Sequence, residues 1–267
     1  MFINEKENKI GKEFIDKGYI IFDIENEQSF NHILSHFDED LIRHNFPKEN
    51  IIKNLNNTHN FIPIDDLNNF RLNIINSIKE NKNFRLNYYN LAKKHLDIIV
   101  GNELVMQQRI NLSIQLPNDT SSLLPIHADV WSGDSPFEVV LWVPLVDCYG
   151  TKTMYLLPPE YQHEVHEKFN DFANTSPEEI FELFKKKVIW LEVKRGQCLI
   201  FNQSLPHGNI VNVESETRWS MNCRFKSLFS PYGDKKLGEF FEPISIKPAT
   251  QIGFDYKMPQ LNLNEKN

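Results

Sequence analysis

Apolar residues change their spacing once along this chain, and the change divides it in two. Up to about residue 103 they recur mainly at helical intervals, after a short apolar run at 19–23, YIIFD, that reads as an opening strand. The segment from Glu27 to His44 has helical spacing. In LNNFRLNIINSIKEN, Leu67, Phe70, Ile74, Ile75 and Ile78 fall near one face, with Asp65 or Asp66 available as a cap, and a further helix is expected over 85–99.

From residue 104 the period drops to two. Ile110, Leu112, Ile114 and Leu116 alternate with Arg109, Asn111, Ser113 and Gln115, the pattern of a strand with one buried and one polar face. Further strands are expected at 137–147, 151–158, 188–193, 197–202, 208–213 and 217–226. Many short strands separated by turns indicate a sandwich or jelly roll rather than a parallel α/β sheet. Residues 159–187 interrupt them with a charged, helical pattern in which Ser176, Pro177 and Glu179 mark a helix start. The expected architecture is mainly β with flanking helices. It forms one domain over 1–267: helical support over 1–103, a jelly-roll core over 104–228 carrying the helical insertion, and a C-terminal extension over 229–267 expected to fray beyond Ile252. A chain of 267 residues is long enough for one large core.

Charge narrows the function. A formal net charge of −7 and a pI near 5.7 oppose nucleic acid and anionic membranes as general partners, and favour a small-molecule substrate. No run approaches the roughly 18 apolar residues of a membrane span, and MFINEKENKIGKEF lacks the apolar centre of a signal peptide, so a cytoplasmic location is expected. Cys148, Cys198 and Cys223 lie far apart in apolar runs and read as buried thiols.

The chemistry concentrates in LLPIHADVWSGD. His127 and Asp129 stand two apart, so on an extended backbone both side chains leave one face and can share a metal ion. His207, in FNQSLPHGN, offers a third ligand. Two imidazoles and one carboxylate on one side of an ion leave the other positions open, the arrangement an iron(II) oxygenase needs for co-substrate and dioxygen. Eleven residues past His207 comes Arg218, followed on the same strand face by Ser220, Asn222 and Arg224, while Trp219, Met221, Cys223 and Phe225 form the opposite, apolar face. A guanidinium on an inward face needs an anion, and Arg presents a planar fork that holds a carboxylate in two parallel bonds.

In His127-x-Asp129, the distal His207, Arg218-x-Ser220 and the order of strands between them, residues 104–228 resemble the 2-oxoglutarate and iron(II) dependent dioxygenase superfamily, and within it the phytanoyl-CoA dioxygenase-like branch. KEFIDKGYIIFD is similar to the opening of that branch, and the chain also resembles a bacterial subgroup found in sporadic carbohydrate-biosynthesis clusters. The resemblance implies a double-stranded β-helix of the cupin-like kind, iron(II) on His127, Asp129 and His207, and 2-oxoglutarate anchored by Arg218 with Ser220. It also implies an oxidoreductase reaction in which dioxygen converts 2-oxoglutarate to succinate and carbon dioxide while a substrate C–H bond is oxidised. A sugar or sugar-linked metabolite is the substrate it suggests. Halogenases of the superfamily resemble this pattern with a small residue in place of Asp129, so hydroxylation is expected here, alongside desaturation, ring formation or epimerisation. Two departures stand out: the 80 positions from His127 to His207 are accounted for by the insertion, and LLPPEYQHE replaces the branch's usual turn.

Other residues stay open between roles. Gln115 is a candidate for the co-substrate and Asn111 for co-substrate or substrate, unless their strand face meets solvent. Trp131 either lines the pocket or sits in the core. Asn222 is a substrate candidate, and Arg224 either meets substrate or joins a structural ion pair. His163 and His166 read as a solvated helix face, and Lys152 and Thr153 as a solvated strand end. Two other functions fit a jelly roll with a metal site: a cupin-like isomerase or lyase, and a non-catalytic sugar-binding protein.

Overall fold

The computed structural model describes residues 4–172 and 174–258. α1 (Glu5–Lys17) opens with a capping box, in which the Asn4 side chain accepts the Glu7 N–H and Glu7 returns the bond. It stops at Gly18, whose φ of 76° suits glycine, and where a Cβ would stand 2.2 Å from Leu205 Cδ1. β1 (Tyr19–Asp23), α2 (Glu27–Arg43), α3 (Ile51–Asn56), α4 (Leu67–Glu80), α5 (Phe84–Asn90) and α6 (Lys93–Ile99) follow.

Two helical expectations need correction. The helix expected over 85–99 is two, because a remote carboxylate supplies a second start: Glu25 accepts the Lys94 and His95 N–H groups at 2.7 and 3.0 Å. Asp65 and Asp66 do not cap α4. They close a 3-10 turn, Ile64–Asp66, and Asp66 has helical dihedrals rather than the extended ones from which a side chain folds back onto the first turn.

The strands are β2 (Leu104–Gln107), β3 (Asn111–Gln115), β4 (Glu138–Pro144) and β5 (Met154–Leu156). Then α7 (Gln162–Glu167), α8 (Phe169–Phe172) and α9 (Pro177–Phe184) intervene, the last capped by Ser176 and Glu179 as their spacing predicts. β6 (Ile189–Leu191), β7 (Gln197–Asn202), β8 (His207–Gly208), β9 (Arg218–Ser227), β10 (Phe241–Ser245) and α10 (Pro248–Asp255) complete the order. Residues 259–267 lie outside the described residues. Every strand pair is antiparallel. The larger sheet runs β1-β7-β4-β9-β2-β10 with β3 also on β9, the smaller β6-β5-β8, and neither closes on itself. The chain is thus a mixed helix and antiparallel-sheet structure.

β9 organises it. The alternating stretch expected as one strand breaks between β2 and β3, so that β3 pairs with the first half of β9 and β2 with the second. The apolar face of β9 turns to the helices: Trp219, Met221, Cys223 and Phe225 are fully buried, Trp219 edge-on to Phe37 and Phe70 at 5.9 Å each, its indole N–H donating to Thr58 Oγ1 at 2.9 Å. Four buried aromatic and apolar side chains on one strand contribute roughly 1.5–3 kcal/mol each on burial, which fixes its register against the helices. The opposite face is left to the site.

Strand ends fall short of expectation. Over 208–213 only Gly208 pairs, because asparagine side chains replace the ladder: Asn209 Oδ1 accepts the Leu124 N–H at 2.7 Å, and Asn212 Nδ2 donates to Glu216 O at 2.8 Å. Over 151–158 only Met154–Leu156 pairs. Lys152 and Thr153, expected in solvent, are fully buried, with Lys152 Nζ at 2.7 Å from Glu216 Oε2 and 2.9 Å from Asn56 Oδ1. The three cysteines are buried and free.

Candidate metal centre and ligand cavity

His127 and His207 meet through their backbones. Each donates its N–H to the other's carbonyl, at 3.0 and 2.8 Å, in an isolated antiparallel bridge that places the imidazoles side by side, with ring centres 4.4 Å apart. Ala128 between the ligand candidates is extended (φ −118°, ψ 135°), so Asp129 leaves the same face as His127, and the Asp129 N–H is tied to Gln203 O at 3.0 Å. One ligand atom from each of His127, Asp129 and His207 lies within 4.8 Å of the other two. Asp129 and His207 are buried and His127 is half-buried.

The hydrogen bonds decide which nitrogens face the cluster. His127 Nδ1 sits 2.8 Å from Pro125 O and His207 Nδ1 2.9 Å from Leu205 O. A carbonyl only accepts, so both Nδ1 atoms carry the proton and both Nε2 atoms present a lone pair. Burial, reinforced by the neighbouring His127, pushes His207 down to about 4, which keeps it neutral at physiological pH. Burial alone would raise Asp129, but the neighbouring His127 and His207 rings and the charge of Arg224 outweigh it and hold the carboxyl well below its ordinary range. Two imidazoles beside an ionised carboxylate are a donor set for a divalent first-row metal.

Behind Asp129 lies a polar network of which the sequence offers only Arg224, as a candidate for a structural ion pair. Arg224 Nη2 reaches Asp129 Oδ2 at 2.8 Å and Asp134 Oδ2 at 3.9 Å, while its Nε donates to Gln203 Oε1 at 2.9 Å. Gln203 Nε2 in turn donates to Glu138 Oε2 at 3.0 Å and Ser135 O at 3.2 Å. Asp134, Glu138 and Gln203 carried no periodic signal; only the polarity of GDSPFE and FNQSLP within apolar surroundings pointed at them.

The cluster opens into a cavity of about 450 Å³ whose wall also carries Arg218, Ser220, Asn222 and Arg224 from the polar face of β9. Arg218 is 3% exposed. Its Nη1 donates to Thr153 O at 3.1 Å and its Nη2 to Ser113 Oγ at 3.0 Å, its Nε has no partner, and among the described residues no carboxylate comes within ion-pair distance. Burial pulls this guanidinium below its ordinary value, yet arginine remains charged. The Ser220 hydroxyl is fully buried and unpartnered on the same wall. Such orphaned donors beside a lone buried cation fit an anionic ligand.

The remaining candidates separate. Asn111 lines the cavity, donating to Asn222 Oδ1 at 2.9 Å. Gln115 does not: it is buried off the wall, with Nε2 spent on Ile210 O at 2.8 Å, although its partner in the sheet, Arg218, lines the cavity. Trp131 also stays off the wall, half-buried against Phe169 and Phe172 in the cluster formed by the inserted helices. His163 and His166 are exposed on α7, as their charged surroundings predict. Among the described residues no helix is long and apolar enough to cross a membrane.

No family model and no curated protein matches the chain. Solved structures do. The non-heme monooxygenase ThoJ, as a nickel complex, is 12% identical with a TM-score of 0.53 over 89% of this chain and 84% of its own. HygX from Streptomyces hygroscopicus, with nickel and 2-oxoglutarate bound, is 12% identical with a TM-score of 0.50, covering 88% and 90% of the two chains. Apo EctD from S. alaskensis is 15% identical at 0.50, covering 86% and 79%. At these identities the likeness is one of fold.

Proposed function

We propose that this chain is an iron(II)- and 2-oxoglutarate-dependent oxygenase that hydroxylates a small molecule, with His127, Asp129 and His207 holding the metal and Arg218 with Ser220 holding the distal carboxylate of 2-oxoglutarate. One observation carries the reading: a buried guanidinium without a counter-ion shares a cavity wall with three converging ligand atoms. The fold shared with HygX, whose structure holds nickel and 2-oxoglutarate, supports it. So does the fold shared with ThoJ, a non-heme monooxygenase. The reading includes a double-stranded β-helix as the core of one domain and the phytanoyl-CoA dioxygenase-like branch as its place in the superfamily.

When bound, iron(II) and 2-oxoglutarate supply oxidising power from dioxygen, releasing succinate and carbon dioxide while a substrate C–H bond is oxidised. The chain's own residues orient and exclude. His127 and His207 keep their Nδ1 protons on backbone carbonyls and so offer Nε2 without competition from a tautomer. Arg224 engages Asp129 Oδ2, which leaves Oδ1, on the His127 side, as the oxygen that would be available to a metal. Arg218 fixes the far end of the co-substrate, and the buried wall keeps bulk water from the reacting atoms. Gln115 is assigned to structure.

Anaerobic addition of iron(II) and 2-oxoglutarate should develop the weak visible charge-transfer band of their chelate, and His207→Ala should abolish it. No band with the unaltered protein would refute the proposal, and so would substrate turnover that needs neither dioxygen nor 2-oxoglutarate.

A further inference from the structure

The charges on the cavity wall do not cancel once the proposed ligands are counted. Its cationic side chains are Arg71, Arg218 and Arg224, and its one carboxylate is Asp129. Arg224 is matched by Asp129 and Asp134 at its tip. The two carboxylates of 2-oxoglutarate would match Arg218 and one charge of a divalent ion, with Asp129 shared between that ion and Arg224. That leaves Arg71, which among the described residues has no carboxylate at ion-pair distance.

Arg71 projects from α4, an element outside the strands that carry the metal ligands. Its Nη2 donates to Asn68 Oδ1 at 2.9 Å, and among the described residues no acidic group lies within ion-pair distance. Asp119 feels its charge but stays off the wall, with Oδ1 committed to the Ser121 N–H and hydroxyl at 2.7 and 2.6 Å. Arg71 shares the wall with Ser121 and Ser122 from the loop leading to His127, and with Asn111 across β3. That combination is one strong cation among neutral hydrogen-bonding groups. It suits an oxyanion attached to a hydroxylated body, since a guanidinium binds planar or tetrahedral oxyanions through paired N–H bonds while amides and hydroxyls serve alcohols. A cavity of about 450 Å³ leaves space beyond a five-carbon diacid for such a body.

We propose that the substrate bears a carboxylate or phosphate group and that Arg71 receives it. The proposal rests on the oxygenase reading of the site and adds the chemical class of the molecule oxidised. Arg71 acts as a specificity-determining residue, and the positive cavity stands out within a chain of net charge −7.

The test uses the full chain loaded with nickel(II) and saturating 2-oxoglutarate, after the 2-oxoglutarate isotherm has been recorded. Calorimetric titrations with inorganic phosphate, glucose 6-phosphate, glucuronate and glucose follow. Phosphate and at least one charged sugar should bind and glucose should not; which charged sugar binds tells phosphate from carboxylate. Arg71→Gln should weaken the charged probes about tenfold or more, the loss of a charge-assisted contact, with the 2-oxoglutarate isotherm unaltered. Glucose binding as well as the charged sugars, no probe binding at all, or phosphate affinity surviving Arg71→Gln would each overturn the proposal while the oxygenase reading stands. Failure of 2-oxoglutarate itself to bind would instead remove the oxygenase reading, and this proposal with it.

Discussion

Arg218→Met separates a co-substrate anchor from a structural arginine, because the two roles predict opposite balances of binding and stability. The substitution keeps length and removes charge. Arg218 makes two hydrogen bonds, to Thr153 O and Ser113 Oγ, and no ion pair. Bonds to a charged group are worth about 1.5–3 kcal/mol each, while stripping water from a buried ion costs several kcal/mol, so the two effects nearly offset. The ligand-free variant should therefore melt within a few degrees of the parent. Binding should not be spared. Truncating one partner of a buried charge pair costs about 2–5 kcal/mol, so the affinity for 2-oxoglutarate should fall about thirtyfold at least. With nickel(II) present and 2-oxoglutarate at a hundred times the parent's Kd, the parent gains about 2.7 kcal/mol, and the variant under about 1 kcal/mol. At about 2–4 °C per kcal/mol, thermal melts should show a rise of roughly 5–10 °C in the parent and little in the variant. A variant whose 2-oxoglutarate affinity stays within about threefold, or one that melts far below the parent without ligand, would refute the reasoning from an uncompensated guanidinium.

Arg224→Gln should weaken nickel(II) or iron(II) binding about 10- to 100-fold, the usual cost of losing a group that holds a metal ligand, and competition with a chelating dye would measure it. Removal of the metal by a chelator should abolish 2-oxoglutarate binding by the parent in calorimetry, since the chelating end of the co-substrate then has no ion to meet. Burial depresses Lys226 to about 8, with Glu138 opposing the shift, so between about pH 8 and 10.5 the unfolded chain binds the proton and the folded one does not. Stability against urea should rise with pH through that window in the parent, and Lys226→Met should flatten the rise.

The parts of this site legible in the sequence are those set by neighbours in the chain. The two-residue step from His127 to Asp129 and the alternation along 218–225 are local geometry, and an extended backbone turns both into a shared face. What the sequence did not disclose depends on pairs far apart. The sequence leaves Arg224 open between substrate and ion pair because its partners, Asp129 and Asp134, are about ninety residues away and nothing periodic links them. Lys152 read as solvated because Asn56 and Glu216, which satisfy it, come from distant segments. Alternation makes Gln115 a co-substrate candidate by its strand face, but does not show that its amide is taken up by the Ile210 carbonyl, 95 residues away. The break between β2 and β3 escaped for a different reason: the alternation begins only at Arg109, the apolar run Leu104–Met106 before it carries no period of its own, and only the pairing of both pieces to β9 reveals two strands.

The order of side chains along β9 gives the proposed assignment a direction. Arg224 lies at the metal end, against Asp129, and Arg218 at the other, with Ser220 and Asn222 between. Successive residues of that face are spaced about 6.6 Å apart, so the arginine Cα atoms stand roughly 20 Å apart and their long side chains must lean inward to frame one small ligand. Charge at both ends with neutral donors between is the complement of a dicarboxylate lying along the strand, one end toward the ion and the other at Arg218. With β9 occupied in this way, a second molecule would have the remaining wall, to which α4 contributes Arg71 and the loop before His127 contributes Ser121 and Ser122. On the proposed reading, the substrate's own recognition group is read by residues of the helical region and that loop. This is why Arg71, remote in sequence from every metal ligand, is the residue through which selectivity can change without touching the oxidation chemistry.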